Sequence, residues 1–200
     1  MQLPLVQRLK LLRQHLLAAL GLGGNVAVTL EENADGCFVS VEGHRIAVPS
    51  PLRWKLYRQG WDARLRRLAR EYGLGRHVTL SPESVVLDIG ANVGEFAHVC
   101  AQDGARVYCF EPDPAVFACL TQNIAKLANA SAQDAVIWKS DGEIEFGLAP
   151  ERADSSIFAD GPRLNRRAPT IETFPRELRP PCLAPITCPT DGAQPQTIVG

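Results

Sequence analysis

The chain has 200 residues, 46% of them apolar, with 21 basic and 22 acidic side chains and a formal net charge of −1. That length suits one domain with a real core, or such a domain plus an N-terminal extension. The near balance of charge excludes a broad basic footprint for nucleic acid, and no apolar stretch approaches the ~20 residues that span a bilayer.

At the N-terminus Leu5, Leu9, Leu12, Leu16 and Leu20 recur at helical spacing, which predicts an amphipathic helix docked on the domain or on a partner. Basic residues ahead of a short apolar run give the segment a weak echo of a signal peptide, and a membrane-surface role is the lesser alternative. Gly21, Gly23 and Gly24 end the period. "NVAVTL", "CFVSVE" and "HRIAVP" then alternate as three short antiparallel strands. A helical segment opens at Pro49 and Pro51, carries Leu52, Leu56, Leu65, Leu68 and Tyr72, breaks near Gly60 and closes at Gly73 and Gly75. Its arginines read as a solvated face. These elements form a lead-in over 1–75, followed by a central domain over 76–167 and a tail over 168–200.

The central domain has a different pattern. "SVVLDI" is continuously apolar, as a parallel strand covered on both faces would be. "GEFAHVCAQDG" follows as a helix, "ARVYCF" as a second strand, and "DPAVFACLTQNIAKLAN" as a second helix with Asp113 at the N-cap and Pro114 at its first position. "DAVIWK" reads as a third strand. The order β-α-β-α-β is half of a doubly wound sheet, so the predicted class is α/β and Rossmann-like. "GEIEFGL" is a further strand, with "DSSIF" as its expected partner. The tail holds seven of the fifteen prolines and shows neither period, which predicts mostly irregular chain. Six cysteines (Cys37, Cys100, Cys109, Cys119, Cys182 and Cys188) form no CxxC pair and read as free thiols in a reducing compartment, the cytoplasm. The four histidines are scattered, and no metal is expected. His98 reads as a surface or packed histidine rather than a base.

In an open α/β sheet, ligands bind at the carboxyl ends of the strands. The turn Gly90-Ala91-Asn92-Val93-Gly94 lets backbone approach a ligand closely. It departs from the dinucleotide fingerprint, which wants glycine where this chain has Asn92 and Glu95. A glutamate where pyrophosphate would sit opposes a dinucleotide, so a nicotinamide-dependent oxidoreductase is disfavoured. Glu111 follows the turn by about twenty residues, at the end of the second strand, where an acid takes both hydroxyls of a ribose. Asp88, at the tip of the first strand, suits an ammonium group. A ligand with an amino-acid head, a ribose and no phosphate satisfies all of these groups, and S-adenosylmethionine is that ligand.

"VVLDIGANVGEF", "VYCFEPDPAVFACLTQNI" and "SDGEIEF…DSSIF" resemble the S-adenosylmethionine-dependent methyltransferases of the FkbM type, from near Arg58 to Phe158 and more faintly at "TIETF". The resemblance implies a class I methyltransferase sheet, with Asp88, Gly90, Asn92 and Gly94 holding the methionine part and Glu111 the ribose. It implies methyl transfer to a hydroxyl of a sugar, glycolipid or metabolite, and it puts Asp141 near adenine, although "WKSD", with Trp138, departs from the small residues expected there. It assigns no catalytic base.

The family's fourth strand precedes an acidic segment similar to K-I-D-V-E-G, and no such segment occurs here. The C-terminal part therefore reads as truncated or divergent, and the sheet as incomplete in that half. Two functions follow: an enzyme acting on a small-molecule or glycan acceptor, or a non-catalytic remnant or interaction module that at most binds S-adenosylmethionine. Without a fourth strand, one edge of "SVVLDI" is unpaired unless the tail or the strand near 143–148 fills it. Self-association through that edge is the expected consequence.

Overall fold

The computed structural model describes residues 3–148, 161–171 and 173. The chain divides into two compact units between Arg67 and Leu68.

The first unit opens with α1 (Leu5–Ala19), followed by β1 (Val28–Asn33), β2 (Gly36–Val41) and β3 (His44–Val48). The strands form an antiparallel meander in the order β1-β2-β3. Alternation puts Val28, Val39, Val41 and Ile46 on one buried face, where Val28 pairs with Val41 and Val39 with Ile46. A 3-10 helix over Pro51–Tyr57 adds Trp54 and Tyr57. After Gly60, at φ 99°, α2 (Trp61–Glu71) crosses into the second unit. Glu42 accepts a hydrogen bond from the Trp61 amide at 2.9 Å, placing a carboxylate at the positive end of α2.

Two expectations change here. The first strand begins at Val28 rather than Asn25, because the Val26 amide donates to Arg58 O and the Asn25 side chain to Leu22 O. The amphipathic helix is present, but its leucine face is not the one that docks within the unit. Gln14 is the buried residue of α1, and its Nε2 donates to Val26 O at 2.9 Å and Arg58 O at 2.7 Å. His15 Nε2 lies 2.5 Å from Val28 O. Carbonyls at the start of β1 need donors that the meander does not supply, and polar side chains of α1 supply them. The leucines are left outside: Leu5, Leu9, Leu12, Leu16 and Leu20 are each at least 58% exposed.

The second unit is an α/β fold. Strands β4 (Val85–Ile89), β5 (Arg106–Phe110) and β6 (Ala130–Gln133) are parallel in the order β4-β5-β6, joined by α3 (Glu95–Gln102) and α4 (Pro114–Ile124). Leu87, Phe110 and Ala135 form a buried cluster, with Ile89, Tyr108, Ile137 and Ile171 against it. Tyr72 stacks on Phe96 of α3 with ring centroids 3.8 Å apart.

The third strand is "ASAQ", not "DAVIWK". The Val107 amide donates to Asn129 O at 2.8 Å and the Glu111 amide to Gln133 O at 3.1 Å, so the edge of β5 is filled by small and polar residues that carry no strand signal of their own. Past Gln133 the chain leaves β5. Val136 and Trp138 instead donate to Arg167 O and Pro169 O, beside a separate antiparallel pair, β7 (Gly142–Gly147) and β8 (Arg163–Ala168). The strand expected over "GEIEFGL" is β7. Its described partner is β8, which the pattern reading leaves as undefined chain; "DSSIF" lies outside the described residues. Charge complementarity is the signal for β8: Glu143 faces Arg167, Arg163 lies 4.0 Å from Glu145, and Arg166 pairs with Asp134.

Among the described residues β4 has a strand neighbour only on its β5 side, so β7 does not fill that edge. Cys37, Cys100, Cys109 and Cys119 are free thiols; Cys182, Cys188 and the proline-rich tail beyond Thr173 lie outside the described residues. No described helix is long and apolar enough to cross a membrane.

Candidate functional site

The apolar run of β4 carries Asp88 into the interior, opposite Cys109 of β5, and releases the chain at Gly90. Between β4 and α3 three residues adopt left-handed backbone: Gly90 at φ 77°, Asn92 at φ 52° and Gly94 at φ 87°. This folds the loop back over the sheet end, where the amides of Gly90 and Ala91 both donate to Phe110 O, at 2.9 and 3.0 Å. Asn92 is among the few non-glycine residues that tolerate such a backbone.

The two glycines serve different ends. A Cβ added at Gly94 would lie 2.8 Å from both Ile124 Cγ2 and Leu120 Cδ1, so this glycine lets the start of α3 pack against α4. At Gly90 nothing lies within 4 Å of an added Cβ, so that side of the turn is open. Gly94→Ala therefore combines a disfavoured φ with overpacking and is expected to cost about 2–4 kcal/mol of stability, read from denaturant midpoints. A midpoint equal to the parent chain's would contradict this close approach.

Glu111 follows β5 and is 7% exposed. Its Oε2 accepts from the Asn92 amide at 3.0 Å and its Oε1 from the Asp113 amide at 2.9 Å. One carboxylate thus ties the glycine turn to the β5–α4 loop. Asp113 is fully buried and caps α4, its Oδ1 accepting from the amides of Ala115 and Val116. The turn is also held from α4: Asn123 Nδ2 donates to Val93 O at 2.8 Å, and His98 Nε2 lies 3.1 Å from Asn123 O. His98 is thereby a tie between α3 and α4. The sequence pattern does not mark Asn123 as part of the turn; its one signal is an amide beside Ile124 near the end of an apolar helix.

The electrostatics centre on Asp88, which is 3% exposed. Burial, and then the negative charge of Glu111, push its carboxyl up to about 7. Its Oδ2 is buried with no hydrogen-bond partner among the described residues. Burial, reinforced by Asp88, also raises the thiols of Cys100 and Cys109 far above the range in which a thiolate forms, so neither serves as a nucleophile. Glu95 is buried at the first position of α3, the end of the helix that favours an acidic side chain.

The structure therefore brings Asp88, Gly90, Asn92, Gly94 and Glu111 to the carboxyl end of β4 and β5. Asp141 has other partners. It is exposed before β7, and its Oδ1 accepts from the Thr170 amide at 2.7 Å and Thr173 Oγ1 at 2.9 Å; these bonds lower its pKa. Among the described residues no group of His, Cys, Asp and Glu could hold a metal ion.

Chemically, the site presents a buried acid with an unused oxygen, an open glycine edge, and a second carboxylate. The oxygens of the latter accept from the amides of Asn92 and Asp113.

No protein-family model and no curated protein matches this chain. Solved structures do. One is a SAM-dependent methyltransferase from Aquifex aeolicus, at 16% identity over 44% of this chain and 43% of that one, with a TM-score of 0.30. Another is P. horikoshii TYW2 in complex with MeSAdo, at 21% identity, 70% and 53% coverage and a TM-score of 0.34. A third is Aeropyrum pernix fibrillarin with natively bound S-adenosyl-L-methionine, at 20% identity, 55% and 52% coverage and a TM-score of 0.32. The chain spans about half the length of the solved structures it matches.

Proposed function

We propose that the carboxyl end of β4 and β5 binds S-adenosylmethionine, and that the chain is a methyltransferase of FkbM type acting on a hydroxyl of a sugar, glycolipid or metabolite. The observation that carries this reading is the buried Oδ2 of Asp88, which has no hydrogen-bond partner among the described residues. An uncompensated buried acid destabilises a fold, and an α-ammonium group is the cation that this position suits. Asp88, Gly90, Asn92 and Gly94 would hold the methionine part, with Gly90 allowing close approach. Glu111 would accept from the ribose hydroxyls while its amide ties keep the two loops in register. The cofactor supplies an electrophilic methyl carbon on a sulfonium; the residues of this chain bind and orient it.

Calorimetry is expected to show S-adenosylmethionine or its demethylated product binding more tightly than NAD, which Glu95 at the start of α3 opposes. Equal or tighter NAD binding would sink the assignment.

A second reading rests on the outer edge of β4, which has no strand neighbour among the described residues. If the acceptor side of the crevice is not built there, the unit is a cofactor-binding or interaction module without turnover, and its open edge is a site for self-association. Methyl transfer to glycan acceptors by a chain that binds the cofactor would decide for the enzyme; saturable cofactor binding without transfer would decide for the module.

A further inference from the structure

We propose that the outward face of α1 is a docking surface for an anionic phospholipid membrane. Leu5, Leu9, Leu12, Leu16 and Leu20 are 70%, 58%, 66%, 61% and 60% exposed. At 3.6 residues per turn they fall within an arc of about 80°. The opposite face is already engaged through Gln14 with Val26 O and Arg58 O, and on one flank His15 lies against Val28 O. Rolling the helix to hide its leucines would abandon those three part-buried bonds.

Charge selects the occupant. The first acidic residue of the chain is Glu31, so α1 and its flanks carry basic groups only. Arg8 borders the leucine stripe on one side and Arg13 and Lys10 on the other, and all three are exposed. A second copy of the helix set stripe to stripe would bring like charges together, whereas paired helices need opposite signs beside their apolar seam. A layer of anionic headgroups over hydrocarbon matches both features at once. The leucines reach the acyl boundary while the guanidinium and ammonium groups stay among the phosphates. With 15 residues, α1 is about 22 Å long and lies in the interface rather than spanning it.

The test is flotation of the full chain with vesicles of phosphatidylcholine alone and of phosphatidylcholine mixed with phosphatidylglycerol. Binding is expected only to the mixed vesicles and should weaken as salt screens the charges. Replacing Leu9, Leu12 and Leu16 together with glutamine should abolish it. Neutralising Arg8, Lys10 and Arg13 with glutamine should weaken it roughly a hundredfold, about fivefold per charge. The substituted residues lie away from the Gln14 contacts, and circular dichroism monitors the helix; the charge variant and the salt dependence remain informative if the leucine variant loses structure. Failure to float with the mixed vesicles would overturn the proposal, as would equal binding to neutral ones. A dimer that the leucine variant dissolves, without vesicle binding, would overturn it in favour of a second copy. Capture by an acidic amphipathic peptide in place of vesicles would overturn it in favour of a protein partner.

Discussion

Asp88→Asn is expected to stabilise the folded chain above about pH 7 while removing its affinity for an ammonium-bearing ligand. The sign follows from a carboxyl raised from its ordinary 3.8 to about 7 by burial and by Glu111. Below 3.8 the acid is protonated in the folded and the unfolded chain alike, and its charge costs nothing. As the pH rises from 3.8 to about 7, the unfolded chain releases the proton while the folded chain retains it, so folding stability falls. Above about 7 the folded chain carries the full penalty, on the order of a few kcal/mol. The amide has nearly the same shape and no charge. Thermal melts should therefore show the variant well above the parent chain at pH 8 and the two converging toward pH 4. Affinity should move the opposite way. In the parent chain, binding of S-adenosylmethionine or its product weakens as the pH drops below about 7, because a protonated Asp88 no longer attracts the ammonium; in Asp88→Asn it is weak at every pH. A stability gap independent of pH would mean that Asp88 is not the strained acid described here.

Glu111→Gln is expected to lower both stability and cofactor affinity. The carboxylate accepts one amide on each oxygen, from Asn92 and from Asp113. A glutamine offers a single acceptor oxygen, so one of those amides must face the side-chain NH2 group, donor against donor. The loss of a hydrogen bond to a charged acceptor is on the order of 1.5–3 kcal/mol. Because the turn and the β5–α4 loop share this residue, affinity should fall toward the upper end of that range, about a hundredfold. Urea midpoints and calorimetry on the same samples measure the two effects. A variant with unchanged stability would show that the strap is dispensable, and one with unchanged affinity would show that the ribose lies elsewhere.

Much of the site was legible in the sequence because its signals are local. An apolar run of strand length fixed β4 around Asp88. Asp113 and Pro114 marked the start of α4, where the side chain does cap the first turn. Gly90, Asn92 and Gly94 stand out together in the sequence as turn formers, and all three have left-handed backbone. Each of these features depends on steric or hydrogen-bonding properties of residues within a few positions of one another.

Tertiary structure decided what depends on distant neighbours. β6 is a strand because the exposed edge of β5 offers amides and carbonyls to pair with, not because "ASAQ" prefers that state. In α1, leucine periodicity reveals a stripe, but the hydrogen bonds of Gln14 and His15 to the carbonyls of Val26, Arg58 and Val28 determine which face turns inward. Glu111 was legible as an acid at a strand end; its role as a strap between two loops appears only when the turn from β4 folds back over the end of β5. The altered acidity of Asp88 was likewise invisible in the chain, since it arises from burial between packed layers and from a carboxylate 23 positions later. Charge–charge energy and desolvation depend on distance through space, which a linear pattern of residues does not encode.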